Sequence, residues 1–390
     1  DRNRSHWSTS KTPSYTKSVS WQHHHQLLCC IISVNFIWGE NRSMIFKSMK
    51  MVAPVLLALT CHINSTSAAQ KCFVIPEQAR TYLGNISQVI NINNKPNAMA
   101  IVHIEHSLPG QPNVIKAFDA YNQFKMMRNA ALLWSESNDE KYLLFSKKYL
   151  LAWLEKYKPS LNPIDETPFD ALIDTYTIIK PKLNENENKM VTSFFKEWAN
   201  DYINYIIRKG NSVKGLTPDN WQSHRIKIIT MLASATNDKE LFSKATEIFQ
   251  EQILKNIKPS GEVYDFSERD AISYAVFDLL PLSQAAIVAK NNGYDWFGYV
   301  SPSGSSLKKG IDWLVPYMNG LKTHNEFNNT KSEFDKVRRS IGMKDFKGAF
   351  NPVRAASLFW VASALDENYL PLAKKLKAMP EPLAVSCKTL

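Results

Sequence analysis

Ala130-Ala131-Leu132-Leu133-Trp134-Ser135-Glu136-Ser137-Asn138-Asp139-Glu140 is the stretch that decides the fold. An apolar helical run breaks into a short polar turn, and residues 142–157 then resume the helical period. The same phrase returns at Ala233-Ser234-Ala235-Thr236-Asn237-Asp238 and, more faintly, at Ala362-Ser363-Ala364-Leu365-Asp366. Asn or Asp in such a turn caps the following helix through its side-chain oxygen. Pro stops the helix at its far end, as in Lys158-Pro159-Ser160 and Lys258-Pro259-Ser260. These are helical hairpins with a shared turn. They recur at irregular separations of about a hundred residues, too long for a short-period solenoid. Further helices are predicted over residues 169–179, 190–207, 271–290 and 307–319, while strand signals near residues 73–75, 89–92 and 100–104 are short and isolated. The expected fold is all-α, an α/α toroid of helical hairpins around a central groove.

The N-terminal part reads differently. Basic Lys47 and Lys50 precede the apolar residues 52–59, and Ser67-Ala68-Ala69 closes the segment with small residues, the pattern of a cleaved secretory signal over residues 44–69. The run is well short of the roughly 20 apolar residues that span a bilayer. Residues 1–43 show no sustained period and read as leader sequence; the apolar patch at residues 27–38 is also too short to span. No Gly/Ser/Pro linker divides residues 100–380, so residues 70–390 are expected to form one domain, secreted, monomeric and without stable membrane association. Two cysteines remain there, Cys72 and Cys387; secretion permits a clasp between them, and two free thiols are the alternative.

The formal charge is +11, of which residues 1–43 carry +3 and Lys47 and Lys50 two more, leaving +6 for residues 70–390. A basic surface attracts polyanions. The chain has no Lys/Arg run, zinc-finger spacing or RNP-like aromatic strand, so an acidic polysaccharide is a better expected partner than nucleic acid.

Two segments carry chemistry. In Asn220-Trp221-Gln222-Ser223-His224-Arg225, Thr217 and Pro218 read as N-cap and first helical residue, placing Asn220 in the first turn and His224 on the same face. Trp221, His224, Ile228 and Leu232 also make an apolar stripe, on which a histidine is ordinarily a hydrogen-bonded core residue. In Glu268-Arg269-Asp270-Ala271-Ile272-Ser273-Tyr274, Arg269 and Tyr274 lie about 140° apart on an ideal helix. Arg269 must therefore sit at a frayed start or reach around, and a salt bridge to Asp265 or Glu268 is the structural alternative.

Together these segments resemble the alginate-lyase-type domain, an α/α-toroid family of secreted polyuronate lyases that includes mannuronate-specific alginate lyases and related glucuronan lyases. Asn162-Pro163-Ile164, Phe277-Asp278, Ser301-Pro302-Ser303-Gly304, Trp313 and Pro316-Tyr317 extend the likeness over roughly residues 110–375. The resemblance implies that Asn220 and Arg269 neutralise a uronate carboxylate. Tyr274 would donate a proton to the departing glycosidic oxygen and also act as base when proton and leaving group share a ring face. His224 would be the base for the opposite geometry, or would polarise Tyr274. Gln222, Trp221, Arg225, Asp265 and Glu166 are the implied substrate contacts, with no metal and no cofactor; the ligand-like trio His103, Glu105 and His106 is not expected to bind one. In the mannuronate-specific branch the Asn and His are adjacent and the Tyr follows the Arg by seven. Here they lie four and five apart, which moves the expected sugar toward glucuronan or another uronan. Two other functions fit a toroid: an inverting hydrolase, which needs a second carboxylate opposed to Asp265, Glu268 or Asp270, and a non-catalytic uronan-binding protein.

Overall fold

Each Asn-Asp turn reverses the chain from one helix to the next. In the computed structural model, which describes residues 83–377 apart from Lys214, Asn138 ends α1 (Pro112–Ser137) in the left-handed conformation at φ 55°. Asp139 then caps α2 (Glu140–Lys156) by accepting from Lys141 N at 3.0 Å. Asn237 and Asp238 repeat the device, with φ 53° and an acceptor bond from Leu241 N at 3.1 Å. Asn tolerates this backbone region better than most residues, and Asp pairs an otherwise orphaned helix N–H.

After α2 come α3 (Pro163–Glu166), α4 (Asp170–Ile179), α5 (Glu185–Gly210), α6 (Asn220–Ala235), α7 (Lys239–Asn256), α8 (Tyr264–Arg269), α9 (Ile272–Asn291), α10 (Leu307–Met318), α11 (Glu333–Ser340), α12 (Ala356–Leu365) and α13 (Leu370–Leu376), and a short helical turn at residues 83–87 precedes α1. Four consecutive pairs pack as hairpins, α1/α2, α6/α7, α9/α10 and α12/α13, while α5 follows α4 in sequence and packs chiefly on α6. Helices α1, α4, α6, α9 and α12 each pack on the next and make an inner row, with α2, α5, α7, α10 and α13 outside it. This is an α/α toroid. Among the described residues there is no strand; the segments near residues 89–92 and 100–104 are irregular, and the only bridges are Ile257–Val263 and Asn325–Ala349. The described residues belong to a compact unit spanning Ser65–Leu390; residues 44–69, Cys72 and Cys387 lie outside them.

Inner and outer helices differ in how they are buried. Every residue of α6 except Trp221 is buried, so the stripe expected from Trp221, His224, Ile228 and Leu232 is one side of a helix enclosed all round. Helix α9 is long and apolar enough to cross a membrane but is mostly buried in the core. Outer α5 and α7 keep a polar face. Between α1, α2 and α5, Phe124, Trp153, Tyr157, Phe169 and Trp198 form one aromatic cluster, with Phe169 4.3 Å from Phe124 and 4.2 Å from Tyr157.

Candidate active site

Asp219, rather than Thr217, caps α6: its carboxylate accepts from Trp221 N at 3.1 Å, and Asn220 is the first helical residue. The expected start two residues earlier fails because Pro218 lies outside the helix, and Asp is the stronger cap. Asn220 is then held from α8. Asp265 accepts from its backbone N at 2.6 Å and from Nδ2 at 2.9 Å, which fixes the amide's orientation and leaves Oδ1 and one N–H for other partners. Burial, with Asp219 close by, pushes the Asp265 carboxyl up to about 7.

One turn along, His224 is buried, with its ring 4.5 Å from that of Phe277. Its Nδ1 lies 2.6 Å from Thr167 Oγ1, which also accepts from Lys227 Nζ at 2.8 Å. Thr167 and His224 Nδ1 share one hydrogen bond, whose direction follows the tautomer of the imidazole. The ring's Nε2 has no partner. Burial and the Lys227 charge hold His224 well below its ordinary pKa, so the imidazole is neutral.

The second segment resolves the angular problem by breaking. Arg269 ends α8, Asp270 takes φ 51°, and α9 starts afresh at Ile272. The chain turns between the two side chains, and the Arg269 guanidinium lies 4.4 Å from the Tyr274 ring centre. The break is pinned from one loop: Glu326 accepts from Ile272 N at 2.7 Å and Ser273 N at 3.1 Å, while Asp270 accepts from Asn329 N at 2.7 Å. Gly261, at φ 93°, makes the turn into α8; a Cβ there would meet Lys309 O at 2.3 Å. Arg269 does form a salt bridge, but to Asp335 at 2.8 Å rather than to Asp265 or Glu268. That bond and the one to Ser332 both use Nη1, which leaves Nε and Nη2 with donors to spare. Arg338 Nη1 donates to Tyr274 Oη at 3.4 Å. Burial raises the Tyr274 phenol above its ordinary pKa against the pull of Arg269 and Arg338, so the resting group is protonated.

Asn220, Trp221, Arg269, Tyr274, Phe277 and Arg338 share a groove of about 480 Å³, with His106 and Phe334 at its wall. His224 lies behind this surface, against Phe277. Asp265 is buried behind Asn220 and orients it instead of lining the groove. Gln222 is buried and accepts from Arg225 Nη1 at 3.3 Å; Arg225 opens onto a different cavity. Glu166 is a correction to the substrate-contact reading. It is fully buried, and its two oxygens accept from Tyr157 Oη (2.7 Å), Ser160 N (2.5 Å), Leu161 N (3.2 Å), Trp198 Nε1 (3.0 Å) and Tyr202 Oη, which leaves no acceptor for a sugar. His103 pairs with Asp165 and His106 with Glu105, and among the described residues no cluster has the makings of a metal site. The sequence reading missed Arg338, Asp335 and Phe334; the available signal was an aromatic and a charged i,i+3 pair on one short helix after a Ser cap.

The alginate lyase family model matches residues 93–324, and the chain belongs to that family. It is a polysaccharide lyase. Among solved structures, an alginate lyase from Bacteroides ovatus is similar at 16% identity and a TM-score of 0.52, over 79% of this chain and 92% of that one. Alginate lyase A1-III from Sphingomonas species A1 aligns at 14% identity and a TM-score of 0.47, over 62% and 76%. No curated protein sequence matches.

Proposed function

We propose that the chain is a secreted enzyme that cleaves a uronic-acid polymer by β-elimination on one face of the sugar ring, with Tyr274 moving both protons. The observation that carries this reading is the Tyr274 phenol held at the groove between two guanidiniums, 4.4 Å from Arg269 to the ring and 3.4 Å from Arg338 to the hydroxyl. Asn220 and the free nitrogens of Arg269 receive the uronate carboxylate and stabilise the enolate-like charge formed as the C5 proton leaves. The resting phenol first gives its proton to solvent, the two cations stabilise the phenolate left behind, and that phenolate accepts the C5 proton and is regenerated at the end of each turnover. Tyr274 then passes a proton to the O4 leaving group as the C4–C5 double bond forms. His224, neutral and buried behind Phe277, supports the site from beneath the groove surface, and Tyr274 is the base. Carboxylates near the groove are already engaged, Glu105 with His106, Asp265 with Asn220 and Asp335 with Arg269 and Arg338, which disfavours a hydrolase pair.

One-face elimination suits sugars whose C5 hydrogen and O4 are on the same side, as in mannuronate and glucuronate, and disfavours the C5 epimer guluronate. The test is to incubate the protein with polymannuronate, polyguluronate and glucuronan and follow the ultraviolet absorbance of the unsaturated end. Absorbance should grow on mannuronate or glucuronate polymers and lag on polyguluronate. Reducing ends without the chromophore would mean hydrolysis, and binding without either would mean a lectin-like protein. Tyr274→Phe should lower kcat by about 10²–10⁴-fold with oligosaccharide affinity retained. A fully active variant would remove Tyr274 from the mechanism.

A further inference from the structure

Beside the groove lies a cavity of about 510 Å³ under the loop that joins α5 to α6, and Trp221 lines both. Arg225 lines this second cavity although it is only 3% exposed. Its guanidinium sits 4.9 Å from the Tyr205 ring centre and 5.7 Å from that of Trp221. Nη1 makes a long bond to Gln222, Nε has no partner, and Arg225 has no ion pair among the described residues. The carboxyl in the wall, Asp219, attracts Arg225 without forming an ion pair with it, and one of its oxygens accepts the cap bond from Trp221 N. A buried cation flanked by aromatic faces, with no direct ion pair and with donors unspent, is costly to leave unsatisfied. Lys209 adds a second positive charge to the same wall.

We propose that this cavity is a second uronate subsite, in which Arg225 receives the carboxylate of a sugar in the same chain as the one cleaved at Tyr274. The inference rests on the lyase reading and adds to it. Trp221, shared by both cavities, is the face on which the chain passes from one to the other. A guanidinium presents paired donors to a carboxylate, and the flanking rings keep it from turning away. The second subsite contributes affinity for longer chains and takes no part in the proton transfers, so it acts on KM rather than kcat.

The experiment is steady-state lyase kinetics on a ladder of oligouronides, from the shortest one cleaved upward, with the full chain and with Arg225→Met, Arg225→Lys and Lys209→Ala. The unmodified protein should show KM falling as the substrate lengthens into the second cavity. Arg225→Met should erase that gain, raising KM on long substrates by about tenfold with kcat and the shortest substrate unchanged. Arg225→Lys and Lys209→Ala should each lose part of it. Thermal unfolding checks each variant, and should Arg225→Met fail to fold, the other two carry the test. An unaltered length dependence in Arg225→Lys and Lys209→Ala overturns the proposal, as does an equal kcat loss at every length. Absence of unsaturated product from the unmodified protein on any uronan sinks the lyase reading itself and is distinct from both outcomes.

Discussion

At the scale of single residues, the site is built on charges whose protonation opposes stability to function. Asp265 is buried with Asp219 and Asp278 nearby, and its carboxyl is raised to about 7. In the unfolded chain it would titrate near 4. Between these values the folded protein binds the proton more tightly, so the stabilising contribution is complete below the ordinary carboxylate range and is lost as pH rises through about 7. The aim of Asn220 works the other way: both Asp265 oxygens accept most strongly when ionised. Activity should therefore climb through neutrality while stability declines. Asp265→Asn should flatten the part of the unfolding-midpoint decline between about pH 4 and pH 7 that this group supplies, leaving the share of Asp278 and Asp219. It should also lower kcat/KM and remove the acid limb near neutrality. An unfolding profile identical to that of the parent would show that Asp265 is ionised in the folded protein.

At the scale of elements, the decisive feature is the break at Asp270. Read as one helix, Arg269 and Tyr274 point apart; as two helices joined at a left-handed residue, they meet. Asp270→Ala should cost roughly 1–2 kcal/mol for a methyl side chain in that conformation, together with the Asn329 bonds, and kcat should drop as Arg269 and Tyr274 lose register. Asp270→Gly loses the same bonds without the strain, so denaturant unfolding should show it the more stable of the two. Equal stability would mean that the backbone angle is not what matters. This break also marks the limit of what the sequence disclosed. Helices and hairpin turns were legible because Asn-Asp pairs report local backbone chemistry. Asn220, Arg269 and Tyr274 were legible because each lies in a short segment of distinctive residue types. A left-handed Asp270 was hidden, since Asp is also a common helix N-cap and the conformation is imposed by the 324–329 loop. Arg338 and Asp335 were hidden for another reason. They approach the site from more than 60 residues away in sequence, and α11 lies beyond the stretch shared with the family model.

At the scale of the molecule, a groove that crosses the starts of α1, α6 and α9 needs those helices held at fixed spacing, and Glu166 is how the first helices meet this demand. Its carboxylate gathers Tyr157 from the end of α2, Trp198 and Tyr202 from α5, and the 160–161 turn onto one residue at the end of α3. Helix α3 in turn packs on α6, which carries Asn220 and His224, and the neighbouring Thr167 shares a hydrogen bond with His224 Nδ1. A buried carboxylate with every acceptor site filled is worth keeping only while all its donors remain, because each donor stranded without an acceptor costs about 1–3 kcal/mol. Glu166→Gln turns one oxygen into a donor facing donors. It should lower the free energy of unfolding by about that amount while the folded enzyme keeps its KM for oligouronides. Glu166→Ala strands the phenols and the indole together and should leave little folded protein. Unfolding curves paired with kinetics decide between scaffold and substrate contact. A raised KM at unchanged stability would return Glu166 to the sugar-binding surface, whereas lost stability at unchanged KM makes it the fixed point from which the first helices hold α6 in place.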